Sequence, residues 1–281
     1  MTGTKGSGRD RLSGVEAALA EVEKLRANRK YRNASGLFYT EGVRNFVQVC
    51  DNQFEIATLL FSEQLLTAPL ARKLVRQKRR SGVPTIPLTP EQFRRISYTH
   101  RASGVAAIAR QRWFPLQEIS PQGGLCWVAL ETVRSPGNLG TLIRTSEAVG
   151  GAGFIFIGRR IDPFDPDVLR ASMGALFRQK FVRTTLSAMR EFISNHRFQA
   201  IGASPEGTID LHHFDYPRSP LLLLGEERRG LTSEQRDLCQ HLVRIPMVGA
   251  ADSLNLAVAG SLLMYEIYRS RRSSPSPQTY S

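Results

Sequence analysis

Polar groups that could take part in group-transfer chemistry cluster in three segments, each of which follows an apolar stretch typical of a buried β-strand. The segments span residues 131–145, 221–231 and 245–259. In α/β proteins the carboxyl ends of parallel strands meet at one edge of the sheet, and ligands bind there. We therefore expect the three segments to form one site. The polar side chains that this site would bring together include Asn138, Arg144, Glu227, Ser253 and Asn255.

The first segment combines a turn with an arginine on the helix that follows it. Pro136 and Gly137 favour a turn, and Asn138 is a typical N-cap for a helix extending to Val149. Arg144 lies six residues after Asn138 and three before Glu147. Residues three apart on a helix can form an ion pair. Arg144 can therefore either brace its own helix through Glu147 or reach towards a substrate.

The second and third segments offer backbone groups rather than charged side chains. Gly225 and Gly230 bracket a polar loop after four leucines, and glycine lets a ligand approach the backbone closely. The loop matches neither the Walker phosphate-binding pattern nor the GxGxxG dinucleotide fingerprint. In the third segment Asp252 or Ser253 is expected to cap the last helix, which leaves Asn255 in need of another role.

Alternating strands and helices must position these segments. Strands are predicted at Leu125–Leu130, Phe154–Ile157, Gln199–Ala203, Leu221–Leu224 and Leu242–Ile245, with helices at Asn138–Val149 and Leu254–Arg269. Small residues in the last helix suggest that another backbone packs closely against it. This pattern predicts an α/β domain over residues 125–272, preceded by a linker at 115–124 and followed by a disordered tail at 273–281.

A second, smaller α/β domain is predicted over residues 12–114, behind a flexible tail at 1–11. Ser13 and Glu16 have the spacing of a capping box, which predicts a helix from Ser13 to about Lys30. The rest of the pattern alternates strands at Leu37–Thr40, Ile56–Phe61, Val83–Leu88 and Gly104–Arg110 with helices at Glu41–Cys50, Pro69–Arg80 and Glu91–Ile96.

The net charge of +13 favours a polyanionic partner. Residues 1–120 carry 20 basic and 10 acidic residues, so the surplus lies mainly in the first domain. Residues 72–80 contain six basic residues and no acidic one, which favours contact with phosphate groups. A solvated helix face, or a general charge surplus for solubility, would give the same pattern. The candidate RNA-binding residues are Lys30, Arg32, Arg76, Lys78, Arg79 and Arg80.

The cysteines and the apolar runs favour a cytoplasmic protein over a disulfide-rich, secreted or membrane protein. The three cysteines, Cys50, Cys126 and Cys239, are far apart and form no CxxC pair, so neither a disulfide framework nor a metal site is expected. Cys126 and Cys239 are expected to be core thiols. No apolar run is long enough to cross a membrane and no secretory signal is recognised, which together with the free thiols predicts a cytoplasmic protein.

Taken together, the three segments resemble the signature motifs of SpoU/TrmH-type RNA 2′-O-ribose methyltransferases of the SPOUT superfamily. The matching residues are Asn138, Gly140, Arg144 and Gly150 in the first motif, Gly225, Glu227 and Gly230 in the second, and Ile245–Met247 with Ser253–Asn255 in the third. Residues 171–177 resemble a further family segment. The resemblance covers residues 122–272, and a looser one links residues 30–42 and 103–105 to the family's substrate-binding domain.

The resemblance implies a small α/β substrate-binding domain followed by an α/β domain with a C-terminal trefoil knot, assembled as a homodimer whose active sites form at the subunit interface. It implies S-adenosylmethionine as cofactor, held by Leu224, Gly225, Ile245, Met247 and Leu254, and a ribose 2′-hydroxyl of tRNA or rRNA as acceptor. At Arg178-Gln179-Lys180 the chain departs from relatives that carry an apolar residue and proline.

The resemblance also implies the candidate catalytic residues, which are Asn138, Arg144, Glu227, Ser253 and Asn255, with Arg144 as the essential basic residue. A guanidinium is always protonated, so it is better suited to stabilising a developing alkoxide or clamping a phosphate than to acting as a base. An RNA base methyltransferase of the same superfamily and a catalytically silent RNA-binding protein are the alternatives.

Overall fold

The computed structural model describes residues 7–121, 123–196, 198–218 and 220–273. They form two compact units. The first runs to Gln111 and also contains Phe164–Leu169, and the second holds Arg112–Pro163 and the chain from Arg170 onward. Residues 7–11 of the predicted N-terminal tail are helical instead, and residue 273 ends the last helix. The rest of both predicted tails lies outside the described residues.

The first unit is an α/β layer around a four-stranded mixed sheet. Its strands are β1 (Leu37–Glu41), β2 (Ile56–Phe61), β3 (Thr85–Pro87) and β4 (Val105–Arg110), and its helices are α1 (Ser7–Ala27), α2 (Arg29–Ser35), α3 (Val43–Asp51), α4 (Pro69–Arg80) and α5 (Pro90–Ile96). The sheet order is β1-β4-β2-β3, with β4 antiparallel to both neighbours and β2 parallel to β3. Every strand and helix that the sequence predicts here is present. The predicted limits of β2 and α4 are exact, and those of the other elements are shifted.

The predicted start of the first helix is wrong. Ser13 lies inside α1, so it is not an N-cap. The helix ends at Ala27, and Asn28 begins α2 by accepting a hydrogen bond from the Tyr31 backbone N–H through its side chain. The amphipathic face predicted for this segment is nevertheless correct, because Leu19, Val22 and Leu25 are buried in the core of the first unit.

Arg32 was expected to contact RNA, and the structure contradicts this. Its side chain is only 2% exposed. One end of the guanidinium donates to the Leu25 carbonyl at 2.7 Å, and the other pairs with Asp165 Oδ2 at 2.8 Å. Arg32 therefore stabilises the inside of the first unit, where a buried charge with a partner is tolerated.

The second unit is built on a seven-stranded parallel sheet. Its strands are β5 (Trp127–Leu130), β6 (Gly153–Ile157), β7 (Lys180–Thr184), β8 (Ala200–Ala203), β9 (Ile209–Asp210), β10 (Leu221–Leu224) and β11 (His241–Arg244). Its helices are α6 (Pro136–Ala148), α8 (Leu186–His196), α9 (Ser233–Arg236) and α10 (Leu256–Ser273), while α7 (Pro166–Ala171) begins in the first unit. The order is β7-β6-β5-β10-β8-β11-β9, and every pairing is parallel.

The predicted α/β class is confirmed, whereas β7 and α8 had no counterpart in the prediction. The described residues of the predicted linker, 115–121 and 123–124, belong to the second unit. A short 3₁₀ helix forms at Leu116–Glu118, Leu116 and Ile119 join the hydrophobic core, and the Trp127 indole N–H donates to the Ser120 carbonyl. Because these apolar side chains are buried, the segment is a fixed part of the domain.

The remaining general expectations can be compared with the part of the chain that the structure describes. Cys126 is fully buried, as expected for a core thiol, whereas Cys239 is only partly buried against the core of the second unit. Burial raises the pKa of both thiols to about 12. Among the described residues, no helix is long and apolar enough to span a bilayer, and no cluster of three or more His, Cys, Asp or Glu could hold a metal ion.

Candidate active site

The three segments singled out in the sequence meet at one edge of the parallel sheet. β5 and β10 are neighbours and leave the sheet together, at Leu130 and Leu224. β11 lies two places further along, beyond β8. The loops after β5, β10 and β11 therefore emerge side by side from carboxyl ends of parallel strands, where α/β proteins place ligands.

A chain of hydrogen bonds joins the three loops. Asn138 Nδ2 donates to Glu227 Oε1 at 3.1 Å. Asn255 Nδ2 donates to Asn138 Oδ1, also at 3.1 Å. Each loop thus contributes one side chain, and Asn138 is the central member, using its donor on one side and its acceptor on the other.

Asn138 is not the N-cap that the sequence predicted. α6 begins at Pro136, with Ser135 in the cap position and no side-chain hydrogen bond to the first turn. Proline is well suited to the first position of a helix because its missing N–H would have no partner there. Asn138 is therefore already helical, and its amide is available for Glu227 and Asn255.

Asn255 is the cap of α10, a role that the sequence assigned to Asp252 or Ser253. Its Oδ1 accepts hydrogen bonds from the backbone N–H groups of Ala257 at 2.8 Å and Val258 at 3.3 Å. The acceptor end of this amide thus holds the helix, while the donor end holds Asn138. One residue fixes both the start of α10 and its position against α6.

Sequence reasoning missed a salt bridge that ties the first loop to the second. The Arg134 guanidinium pairs with Glu226, and the Arg134 backbone N–H donates to both oxygens of Glu227 at 3.2 and 3.3 Å. Glu226 and Gly230 also exchange two backbone hydrogen bonds, at 3.0 and 2.9 Å. The Glu227 carboxylate is therefore oriented from two directions. The opposite charges of Arg134 and Glu226 were visible in the sequence, but nothing there linked residues 92 positions apart.

A cleft of about 330 Å³ opens beside this chain of hydrogen bonds. Its size is within the range of small-molecule sites. Gly225 forms part of the wall, and a Cβ there would lie 2.1 Å from the Gly230 carbonyl carbon, so no larger residue fits. All five residues predicted to hold the cofactor line the cleft, together with the predicted Glu227 and Ser253: Leu224, Gly225, Ile245, Met247 and Leu254.

Arg144 does not line this cleft. It is exposed on α6, and no hydrogen bond or ion pair engages its side chain within the described part of the chain. Glu147, the partner considered from sequence, pairs instead with Arg178 at 3.2 Å. Arg178 belongs to the segment that departs from the family pattern, and so does Gln179, which accepts a buried hydrogen bond from Ser146 at 3.0 Å.

Helix α10 packs against α6 through its small residues, as the sequence suggested. A Cβ on Gly260 would lie 2.5 Å from Leu142 Cδ2, and the hydroxyl groups of Ser261 and Thr145 are 2.9 Å apart. The opposite face carries an unusual row of exposed apolar side chains, Val258, Leu262 and Tyr265, which are 48%, 44% and 58% exposed. They are spaced by four and three residues and so lie on one stripe.

The predicted RNA-binding residues other than Arg32 lie on the surface of the first unit. Lys30 is exposed on α2. On α4, Arg76, Arg79 and Arg80 are exposed, whereas Lys78 is half-buried. The exposed cations of α4 are therefore Arg72, Lys73, Arg76, Arg79 and Arg80.

Comparison with known proteins points to one family for both units. Residues 126–265 match the model of the SpoU rRNA Methylase family, and residues 18–107 match the model of an MRM3-like substrate binding domain. The chain is 30% identical over 276 residues to the 23S rRNA (uridine(2479)-2′-O)-methyltransferase of Streptomyces viridochromogenes, covering 96% of this chain and 95% of that protein.

Solved structures agree with this similarity. The chain resembles an AdoMet-bound rRNA methyltransferase from Sinorhizobium meliloti with a TM-score of 0.83 and 31% identity, covering 92% of this chain and 95% of that one. It resembles the SpoU methyltransferase AviRb from Streptomyces viridochromogenes, in complex with AdoMet, with a TM-score of 0.83 and 29% identity, covering 92% and 99% of the two chains.

Proposed function

The chain belongs to the SpoU rRNA methylase family, and from that premise we propose that it methylates a ribose 2′-hydroxyl of ribosomal RNA. The reaction is a transfer of the methyl group of S-adenosylmethionine to RNA. The finer proposal, that the RNA is ribosomal, rests on one observation: the similarity to the 23S rRNA 2′-O-methyltransferase extends over 96% of this chain, so it includes the substrate-binding domain.

The cleft after β10 and β11 fits S-adenosylmethionine. Leu224, Ile245 and Leu254 offer apolar walls to a purine ring, and the Glu227 carboxylate can accept further hydrogen bonds. The carboxylate of Glu206, in the same wall, is already paired with Arg236. When bound, the cofactor supplies a methyl group on a positively charged sulfur. The tight Gly225 turn brings backbone close to the ligand, and the apolar walls exclude water.

Asn138, Glu227 and Asn255 act by fixing the three loops relative to one another. Their hydrogen bonds hold the cleft in one shape before substrate arrives, and such preorganisation reduces the cost of aligning the reacting groups. Ser253, in the cleft wall, is placed next to the same loops. We assign these four residues to binding and orientation.

Arg144 supplies the positive charge of the reaction. A guanidinium has no lone pair to accept a proton, so it stabilises the alkoxide that develops on the ribose or holds the adjacent phosphate. Its side chain is exposed and is not engaged by Glu147, which Arg178 occupies. Arg144 is thus available to an RNA substrate.

We propose that the chain forms a homodimer, for two reasons. In a single protomer an apolar stripe on α10 is exposed to water, and Arg144 does not line the cleft. The stripe of Val258, Leu262 and Tyr265 on α10 fits a second copy of the chain. Thr145, next to Arg144, bonds to Ser261, next to Leu262, so Arg144 lies near this stripe. The family's C-terminal trefoil knot and a cytoplasmic location, where rRNA is found, belong to the same proposal.

The experiment that tests the target is a map of ribose methylation in RNA from a strain lacking the gene, compared with its parent. One rRNA nucleotide should lose its methyl group, and purified protein with S-adenosylmethionine should restore it. Restoration by the wild-type protein but not by the Arg144→Ala variant would exclude a contaminating enzyme. Loss of a tRNA methylation with an unchanged rRNA map would refute the ribosomal assignment.

A further inference from the structure

A second cavity lies in the first unit, between the end of β2, the loop after it and α4. Its volume is about 320 Å³, which is enough for a nucleobase with its sugar. It belongs to the substrate-binding domain. The residues that line it are Phe61, Glu63, Leu66, Arg72, Val75 and Arg76.

Arg72 forms a fixed, positively charged wall of this cavity. Its Nε donates to the Leu66 carbonyl, and one Nη donates to the Glu63 carbonyl at 3.4 Å. These backbone oxygens orient the planar guanidinium but carry no full charge. Within the described residues no carboxylate pairs with Arg72, so its charge is available to an anion.

Arg76 lies one helical turn after Arg72 and adds a second cation on the same face of α4. Its side chain is exposed, and among the residues that the structure covers it has no ion pair or hydrogen bond. The six residues that line the cavity therefore include two arginines and one carboxylate, that of Glu63. The Glu63 side chain is exposed and has no partner within the described residues.

The remaining walls are apolar. Phe61, Leu66 and Val75 are almost fully buried and face the cavity with hydrocarbon. A ligand that suits both parts carries a phosphate for the arginines and a flat ring for the apolar walls and the guanidinium planes. Unpaired RNA bases are commonly bound in this way, by stacking on aromatic or arginine side chains beside a phosphate contact.

Resting on the proposed action on RNA, we propose that this cavity holds one unpaired nucleotide of the substrate RNA, with its phosphate on Arg72 and Arg76 and its base against the apolar walls. The Glu63 carboxylate stands where it can accept hydrogen bonds from amino groups of the base. The remaining cations of α4 extend the contact along the RNA backbone. The first domain thereby selects RNA with a single-stranded element over a continuous duplex.

Two labelled RNAs, a single-stranded hexanucleotide and a 12-base-pair duplex, test this by fluorescence anisotropy with the full-length protein. Arg76→Ala removes a charge-assisted hydrogen bond to the phosphate, so it should weaken hexanucleotide binding by about tenfold or more. The matched control is Arg79→Ala, which removes one charge from the same helix outside the cavity. Arg76→Ala should weaken duplex binding no more than this control does.

Val75→Phe fills the cavity without changing the charge, and it should abolish the preference for the hexanucleotide while duplex affinity stays. Thermal melting shows whether Val75→Phe folds. If it does not fold, the comparison of Arg76→Ala with Arg79→Ala tests the nucleotide site. Equal losses for Arg76→Ala and Arg79→Ala on both RNAs would show a solvated phosphate contact and overturn the proposal. Preferential binding of an acidic peptide, tested by competition with poly-glutamate, would overturn it as well.

The outcome is separable from that of the proposed function. If wild-type protein methylates rRNA while Arg76→Ala keeps full hexanucleotide affinity, only the nucleotide site is refuted. If the cavity variants lose hexanucleotide binding while no rRNA methylation is found, the ribosomal target is refuted and the nucleotide site stands.

Discussion

Removing the guanidinium of Arg144 should separate catalysis from stability. Arg144 is exposed and makes no side-chain hydrogen bond or ion pair within the described residues, so Arg144→Ala breaks no polar contact among them. Surface substitutions of this kind change the free energy of unfolding by less than about 0.5 kcal/mol. The melting temperature and the affinity for S-adenosylmethionine should therefore hardly change.

The methylation rate should fall steeply in the same variant. Loss of one donor that stabilises a developing oxyanion costs about 3–4 kcal/mol, or roughly a hundredfold to a thousandfold in turnover. Arg144→Lys should recover little of this, because an ammonium cannot reproduce a planar fork. The assay is single-turnover transfer of a labelled methyl group to rRNA, measured beside thermal melts.

Arg178→Ala is the matched control, because it removes an arginine that does hold Glu147. The pair is largely exposed, so its loss should cost at most about 1 kcal/mol of stability. Turnover should stay close to that of the wild type. If Arg144→Ala instead lowers stability while each folded molecule keeps its full methylation rate, Arg144 is not catalytic and the mechanism loses its central residue.

Three further predictions concern the packing around the site. Arg134→Ala should lower the methylation rate about tenfold with little change in KM, because the loop that orients the Glu227 carboxylate loses its salt bridge. The double variant Arg134→Glu with Glu226→Arg exchanges the two charges and should recover activity. If it does not, the salt bridge does not have this role. Gly260→Leu should lower the melting temperature by several degrees, because even a Cβ would lie 2.5 Å from Leu142 Cδ2 and overpacking costs about 1–3 kcal/mol. An unchanged melting temperature would show that the contact between α6 and α10 can relax. If the proposed homodimer forms through the exposed stripe of α10, Tyr265→Glu places a charge in that interface and should give folded monomers in light scattering. A dimer that persists in this variant would contradict this position of the interface.

Sequence patterns were most reliable where burial repeats along one element. The four leucines of β10 and the predicted limits of β2 and α4 agree with the structure residue for residue. In α4 the limits follow from local signals, with Pro69 at the first helical position and Gly82 shortly after the end. β7 and α8 had no comparably clear pattern and were missed.

Helix caps were the least reliable predictions, for a common reason. A side chain such as that of Asn138 can bond to its own helix or to another loop, and the sequence shows only the first option. In the structure Glu227 and Asn255 take both ends of its amide. Asn255 then takes the capping role that had been given to Asp252 or Ser253.

The chemical components of the site are determined by the sequence alone. The motif spacing placed Asn138, Glu227 and Asn255 after strands, and parallel strand ends meet at one edge, so their meeting could be predicted. Which partner each polar group chooses was decided only by tertiary structure. Arg32 and Arg76 look alike in the sequence, since both are basic residues of the first domain. Arg32 is buried and pairs with Asp165, 133 residues further along the chain, whereas Arg76 lies at the surface. Charge partners far apart in the chain meet only once the backbone has folded, because burial makes an unpaired charge too costly and so selects the pairing.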